Sequence, residues 1–342
     1  METLSFNPKN ITKVLISGLN DRAKNIITQR YGLGEEADRK TLEEIGKKYG
    51  ITRERVRQLV NYALGSVRKS KYYSLSESAL GELKDTISKM GSILAEREIL
   101  NRLSRDNQTR NHIHFLLILG DSFIKMKEDN FFYHRWTIDD EKAEKIHQLL
   151  HQVHSYFKEG VIMPEKEIIY LAQNYARNLL EEKIKEEIIL SWLRISKLID
   201  RNALGDWGKI TSEYIRPRGI RDLAFLVFRK YGEPMHFNDA AKAIADTFNR
   251  NAHRATVHNE LIKDDRFVLV GRGVYALSEW GYTPGTVSDV IKDILKKFSP
   301  LAKEEIIKRV LKARQVKENT ILVNLQNTKN FKRNPDGTYK IV

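Results

Sequence analysis

The sequence predicts a mainly α protein with small β-hairpin wings: an N-terminal helix-turn-helix domain followed by four tandem winged-helix modules. Three observations predict it. Two amphipathic helical stretches meet at one glycine within residues 41–69. One layout, an apolar or Pro residue, a short turn and an acidic helix start, recurs about every 70 residues. It stands at 92–99 (SILAEREI), 161–168 (VIMPEKEI), 233–240 (EPMHFNDA) and 299–306 (SPLAKEEI). Alternating apolar residues then flank turn residues near the end of each copy, as in a hairpin. The expected domains are 1–75, 76–138, 139–216, 217–283 and 284–342.

Composition sets the class. Of 342 residues, 41% are hydrophobic and 30% charged, which suits a globular chain rather than a disordered one. Lys and Arg outnumber Asp and Glu by 59 to 45, so the net charge is +14 and the pI near 9.6. That balance favours a polyanionic partner, double-stranded DNA first among them. The absence of Cys excludes disulfides, thiol catalysis and Cys-based zinc sites, and fits a reducing cytoplasm. No signal peptide and no stretch near ~18 apolar residues is found, so no membrane partner is expected. The expected location is the cytoplasm, on the nucleoid.

The first domain reads as follows. Ile11 to Leu19 is expected as a short helix. Asp21 is expected to cap a second helix that ends at Gly32. Thr41 and Glu44 form a capping box, with Leu42, Ile45 and Tyr49 on one face. Gly50 ends that helix in a left-handed turn, Ile51 plugs the core and Thr52 caps the next helix. Val56, Leu59, Ala63 and Leu64 form its buried stripe. Arg53, Glu54, Arg57 and Gln58 stay off that stripe, where Arg suits guanine, Gln adenine and Glu the cytosine amino group. Arg55, Arg57, Arg68 and Lys69 suit phosphates, and Thr41 stands at a helix N-terminus where a phosphate can dock.

RYGL at 30–33, TLEEIG at 41–46 and ITRERVRQL at 51–59 closely resemble region 4 of bacterial primary sigma factors. In that family the domain reads the upstream (−35) promoter element and touches the flap of RNA polymerase. The resemblance implies base contacts by Arg53, Glu54 and Gln58. It also implies that Thr41, Leu42, Arg55 and Arg57 lie along the backbone. The family's polymerase-clamping and promoter-melting domains precede region 4, whereas this sequence opens almost directly on it. It is therefore not expected to be a complete sigma factor.

In each later module a first helix precedes the recurring layout, at 83–90, 141–158, 220–231 and 287–298. Third helices are expected near 109–120, 184–197, 253–264 and 318–328. The hairpins are clearest at 266–277, around a GRG turn, and at 331–342, around NPDG. Residues 218–282 resemble the HARE-HTH domain of RNA polymerase delta subunits, restriction endonucleases and chromatin proteins. Possible DNA contacts in the last two modules are Arg254, His258, Lys263, Arg272, Lys332 and Arg333, with Arg266 beside the third module's wing. The third helices HIHFLLILG and EEIILSWLRI are mostly apolar and look built for packing.

His147, His151 and His154 share a helical face, but no acidic or Cys partner accompanies them, so no metal is expected. His112 and His114, two apart, suit a strand and are taken as incidental. No P-loop, GxSxG, HExxH or EF-hand pattern occurs, so neither an enzyme, a cofactor nor a small-molecule substrate is expected. The expected function is promoter-type DNA reading that regulates initiation with bacterial RNA polymerase. The rival is a delta-like accessory subunit of polymerase that acts by protein contacts without reading sequence.

Overall fold

The computed structural model describes residues 3–282, 285–314 and 316–342, so the expected 283/284 boundary lies outside it. The protein is mostly helical with small three-stranded antiparallel sheets. It divides into two compact units, residues 1–200 with 207–210, and residues 201–206 with 211–342.

The head holds α1 (Pro8–Ile16), α2 (Asp21–Tyr31), α3 (Leu42–Tyr49), α4 (Arg53–Arg68) and the single turn α5 (Lys71–Ser74). Helix α1 starts earlier than expected because Asn7 accepts from the Lys9 and Asn10 amides and Pro8 takes the first turn. The cap of α2 is Asn20 rather than Asp21, its side chain accepting from the Ala23 amide. Thr41 and Glu44 close the expected capping box on α3. Gly50 is left-handed at φ 64°, and the Thr52 hydroxyl caps α4 by accepting from the Arg55 amide. Leu59 is only half-buried; Val60 and Val67 complete the buried stripe of Val56, Ala63 and Leu64.

A second glycine matters more here than the turn glycine. A Cβ on Gly46 would lie 2.6 Å from the Ile51 carbonyl oxygen, which is backbone and fixed by the turn. The Ile51 amide in turn donates to the Gly46 carbonyl at 3.0 Å. Gly46 is what lets α3 and the start of α4 approach each other.

Four repeats of one element order follow: helix, strand, helix, helix, strand, strand. The first is α6 (Glu77–Lys89), β1 (Ile93–Ala95), α7 (Glu96–Leu103), α8 (Asn107–Leu119), β2 (Ile124–Met126) and β3 (Arg135–Thr137). The second is α9 (Asp140–Tyr156), β4 (Ile162–Pro164), α10 (Glu165–Leu180), α11 (Glu186–Leu193), β5 (Ile199–Arg201) and β6 (Asp206–Lys209). The third is α12 (Ile220–Tyr231), β7 (Met235–His236), α13 (Phe237–Phe248), α14 (Arg254–Lys263), β8 (Phe267–Gly271) and β9 (Val274–Leu277). The fourth is α15 (Val287–Phe298), β10 (Leu301–Ala302), α16 (Lys303–Ala313), α17 (Glu318–Leu325), β11 (Phe331–Arg333) and β12 (Thr338–Ile341).

The recurring layout is thus more than a turn. Each copy enters its second helix through a short strand that pairs with the last strand of the hairpin, giving orders β1-β3-β2, β4-β6-β5, β7-β9-β8 and β10-β12-β11. Residues 93–95, for example, face Thr137, Trp136 and Arg135 in register. The two-stranded wing expected from the sequence is three-stranded.

In the first unit each third helix packs on what precedes it. Helix α8 is buried from Asn111 to Leu117 and at Leu119, in one core with Leu15, Ile26, Ile27 and Val67 of the head. Phe115 meets Tyr31 with ring centroids 5.1 Å apart. Asn111 Nδ2 donates to the carbonyls of Gly32 (3.0 Å) and Ala37 (2.7 Å), and its Oδ1 accepts from Arg39 Nε at 2.7 Å. His112 and His114, expected as incidental strand residues, are buried in this helix. Burial pushes the His112 pKa down to about 4 and lowers that of His114 as well. Helix α11 repeats the arrangement on the first repeat: Trp192 Nε1 donates to the Gly91 carbonyl at 3.0 Å, and Glu98 accepts from Arg194 and Ser191.

In the second unit Arg266 anchors the third repeat. It bonds Asp264 at 2.6 Å, Asp222 at 3.2 Å and Glu213 at 3.0 Å, over the ring of Phe225. The fourth repeat has its own core of Val290, Ile291, Leu295, Ile306, Val310, Ile321 and Phe331.

Two consequences are measurable. Gly46→Ala should destabilise the head by about 1–3 kcal/mol in chemical denaturation, because the new methyl meets backbone. Ala in an unobstructed helix position would instead gain about 0.5–1 kcal/mol, so an unchanged or raised stability contradicts the close approach. The depressed histidines give a pH window. The unfolded chain takes up their protons below about 6.5, whereas folded His112 does so only near 4. The unfolded state therefore binds more protons in that interval, and stability falls as pH drops from 6.5 towards 4. The melting temperature should fall between pH 7 and pH 5, and His112→Gln should flatten that fall.

Candidate nucleic-acid interface

Helix α4 is fixed at its start by Thr52 and along one side by the buried stripe, so its other side is presented rigidly. Arg53, Glu54, Arg55, Arg57 and Gln58 are all exposed on that side, as the sequence predicts. They are not independent. Arg57 forks onto Glu54 through Nε at 2.8 Å and Nη2 at 2.7 Å, and Arg55 Nη1 donates to Gln58 Oε1 at 3.2 Å. The Arg57 hydrogen bonds hold the Glu54 carboxyl below the ordinary carboxylate range. Arg53 lies instead against the start of α3, lining a shallow cleft of about 350 Å³ with Arg30, Thr41 and Leu42. The Thr41 hydroxyl and Glu44 carboxylate already satisfy the amides there, and the Glu44 pKa is lowered by its bonds to Thr41.

Two residues on the same face were not singled out from the sequence. Asn61 and Tyr62 are exposed, Tyr62 at 68%, one turn beyond Arg57 and Gln58. The i+3 and i+4 spacing from Gln58 is the signal that would have found them.

Arg68 stands elsewhere. Its Nε and Nη2 donate to the Leu119 and Ile118 carbonyls at 3.0 and 2.7 Å, closing the end of α8, and Asp121 lies 3.4 Å away. It ties the head to the first repeat, and Lys69 alone of that pair stays exposed without an acidic neighbour among the described residues.

The geometry decides the chemistry. The fork of Arg57 on Glu54 and the single bond from Arg55 to Gln58 keep planar donor and acceptor groups in place on the exposed side of α4. Residues 15–69 match the family model described as Sigma-70, region 4. The chain is 43% identical over 58 residues to the RNA polymerase sigma factor RpoD of Helicobacter pylori strain 26695, covering 17% of this chain and 9% of that protein. It is 46% identical over 55 residues to the RNA polymerase principal sigma factor HrdD of Streptomyces griseus, covering 16% of each. The chain thus spans less than a fifth of the length of these relatives, and the likeness is to one of their domains. The region 4 segment is a helix-turn-helix, and α3 and α4 are its two arms.

The other expected contacts divide. Arg254 and Lys263 are exposed at the two ends of α14, and Arg272 at the wing turn. His258 is spent on packing: its ring stacks on Phe237 with centroids 4.4 Å apart and meets Tyr275 edge-on. Arg266 is held by its three carboxylates, and its hydrogen bonds to Asp264 foremost, and to Asp222, raise its pKa further. Lys332 and Arg333 are exposed on β11. Helices α8 and α11 offer no such face, as their apolar sequences foretold. The histidine row of α9 is structural: His147 stacks on Phe132 at 4.4 Å and accepts from Arg135 at 2.8 Å, while His151 meets Phe131 edge-on. Among the described residues no group of His, Asp and Glu is arranged to hold a metal, and no helix is long and apolar enough to cross a membrane.

Proposed function

We propose that the protein is a DNA-binding transcription factor. Its head reads a promoter-type, −35-like element in the major groove, and it regulates initiation together with bacterial RNA polymerase. Arg53, Glu54 and Gln58 face base edges, while Thr41, Leu42, Arg55, Arg57 and Lys69 follow the phosphates. The tail of repeats adds contacts to DNA or to polymerase, with Arg254, Lys263, Arg272, Lys332 and Arg333 as its exposed cations. The polymerase flap is the proposed docking site of the head, and the nucleoid in the cytoplasm the proposed location. One observation carries this reading: five adjacent polar reading groups exposed on a capped second helix, within a segment like sigma region 4.

A delta-like accessory role, without sequence readout, is the second reading. It is favoured by the internal pairing of Glu54 with Arg57 and of Gln58 with Arg55, which base contacts must exchange.

Selection of bound duplexes from a random pool separates the two. Enrichment of a preferred sequence is expected, with Arg53→Ala or Gln58→Ala relaxing preference at one position by about 1–3 kcal/mol. An unenriched pool from the unaltered protein overturns the main reading.

A further inference from the structure

The net charge of the chain is not spread along it. Lys and Arg against Asp and Glu number 15 to 8 in residues 1–75, 9 to 9 in 76–138, 12 to 14 in 139–216, 10 to 8 in 217–283 and 13 to 6 in 284–342. The net charges are therefore +7, 0, −2, +2 and +7, so the two ends carry the whole +14. We propose that the fourth repeat is a second duplex-DNA site, which enters a groove with α17 and tracks phosphates with the β11–β12 wing. This deepens the tail's part of the proposed function, and it does not rest on base readout by the head.

Three features of the repeat support it. First, its third helix has the free face that α8 and α11 lack. Ile321 and Leu325 point into the core, while Asn319, Thr320 and Val323 are exposed, Val323 at 60%. That face carries an amide, a hydroxyl and aliphatic methyls without a charge, the groups that meet base edges and the thymine methyl. Second, cations frame it. Lys317 precedes the helix, and Lys329, Lys332 and Arg333 follow it. Among the described residues none of these four has a carboxylate within 4.0 Å.

Third, the wing contains a pair that folding alone does not favour. Lys332 lies directly opposite Lys340 in the β11–β12 register, and both are exposed. Like charges directly across an antiparallel pair destabilise it. A polyanion laid along the wing reverses the sign of that term, because each phosphate neutralised releases condensed counterions. The third repeat keeps exposed cations at Arg254, Lys263 and Arg272, but its net charge is only +2. Among the described residues no like-charge pair lies across the β8–β9 register, and Arg266 is consumed by three carboxylates and His258 by aromatic stacking.

The test uses the full chain and a random-sequence duplex, with affinity measured across a salt series. Replacing Lys329, Lys332 and Lys340 together by Ala should lower the slope of log affinity against log salt by about 2–3 and weaken binding about 10- to 100-fold near ~0.1 M salt. Val323→Asp, which places a carboxylate on the α17 face, should weaken binding in the same direction. All four positions are exposed, so circular dichroism melting should match the unaltered chain; loss of the Lys332–Lys340 repulsion should not lower it. The same fall should appear in an Arg53→Ala, Gln58→Ala background. A fall there, with no base preference found for the head, sinks the head's reading and leaves this one standing. Unchanged slope and affinity in the triple variant, or unchanged affinity in Val323→Asp, overturns the proposal. So does loss of binding to an acidic protein partner without loss of binding to the duplex.

Discussion

Burial of α8 is the constraint on which the first unit depends. Asn111 holds the Gly32 and Ala37 carbonyls and Arg39, and Ile113, Phe115, Leu116, Leu117 and Leu119 fill the shared core of the head and first repeat. Each such side chain gains about 1.5–3 kcal/mol by leaving water. Exposing the helix to enter a groove would cost several times the about 1–3 kcal/mol that a good base contact returns. The first repeat therefore keeps the winged layout but gives its third helix to packing, and α11 does the same through Trp192 on Gly91.

That arrangement sharpens what the head offers. With Arg68 fastened to the end of α8, the basic side of α4 narrows to its first two turns and to Asn61 and Tyr62. The caps at Thr41 and Thr52 and the close approach at Gly46 hold those turns at a fixed angle to α3. Glu54 and Gln58 are kept in place by neighbouring arginines, so their rotamer entropy is partly lost before any ligand arrives. Binding must exchange those bonds for others, a requirement that favours sequences offering equivalent partners.

Much of this was legible in the sequence. The capping residues Thr41, Glu44 and Thr52, and Gly50, act through local geometry and were placed correctly, as were the helix ends at 220–231 and 287–298. The apolar third helices of the first two repeats announced their burial. What stayed hidden depends on distant partners. The strands at 93–95 and 301–302 are too short to carry an alternation, and only pairing with the hairpin defines them. His112 and His114 are two apart in a helix because both sides of α8 are covered, which spacing alone cannot reveal. Arg68, His258 and Arg266 read as free surface groups until the carbonyls, rings and carboxylates that hold them come into place. The Asn20 and Asn7 caps, by contrast, were local signals that simply compete with neighbours of similar propensity.

Photo-cross-linking of the full chain to a bound duplex carrying halogenated thymine analogues, followed by peptide mapping, tests the central claim most directly. The account predicts base adducts on α4 between residues 53 and 62 and none on α8 or α11. Adducts on α8 or α11, or a bound duplex that leaves α4 untouched, would contradict it.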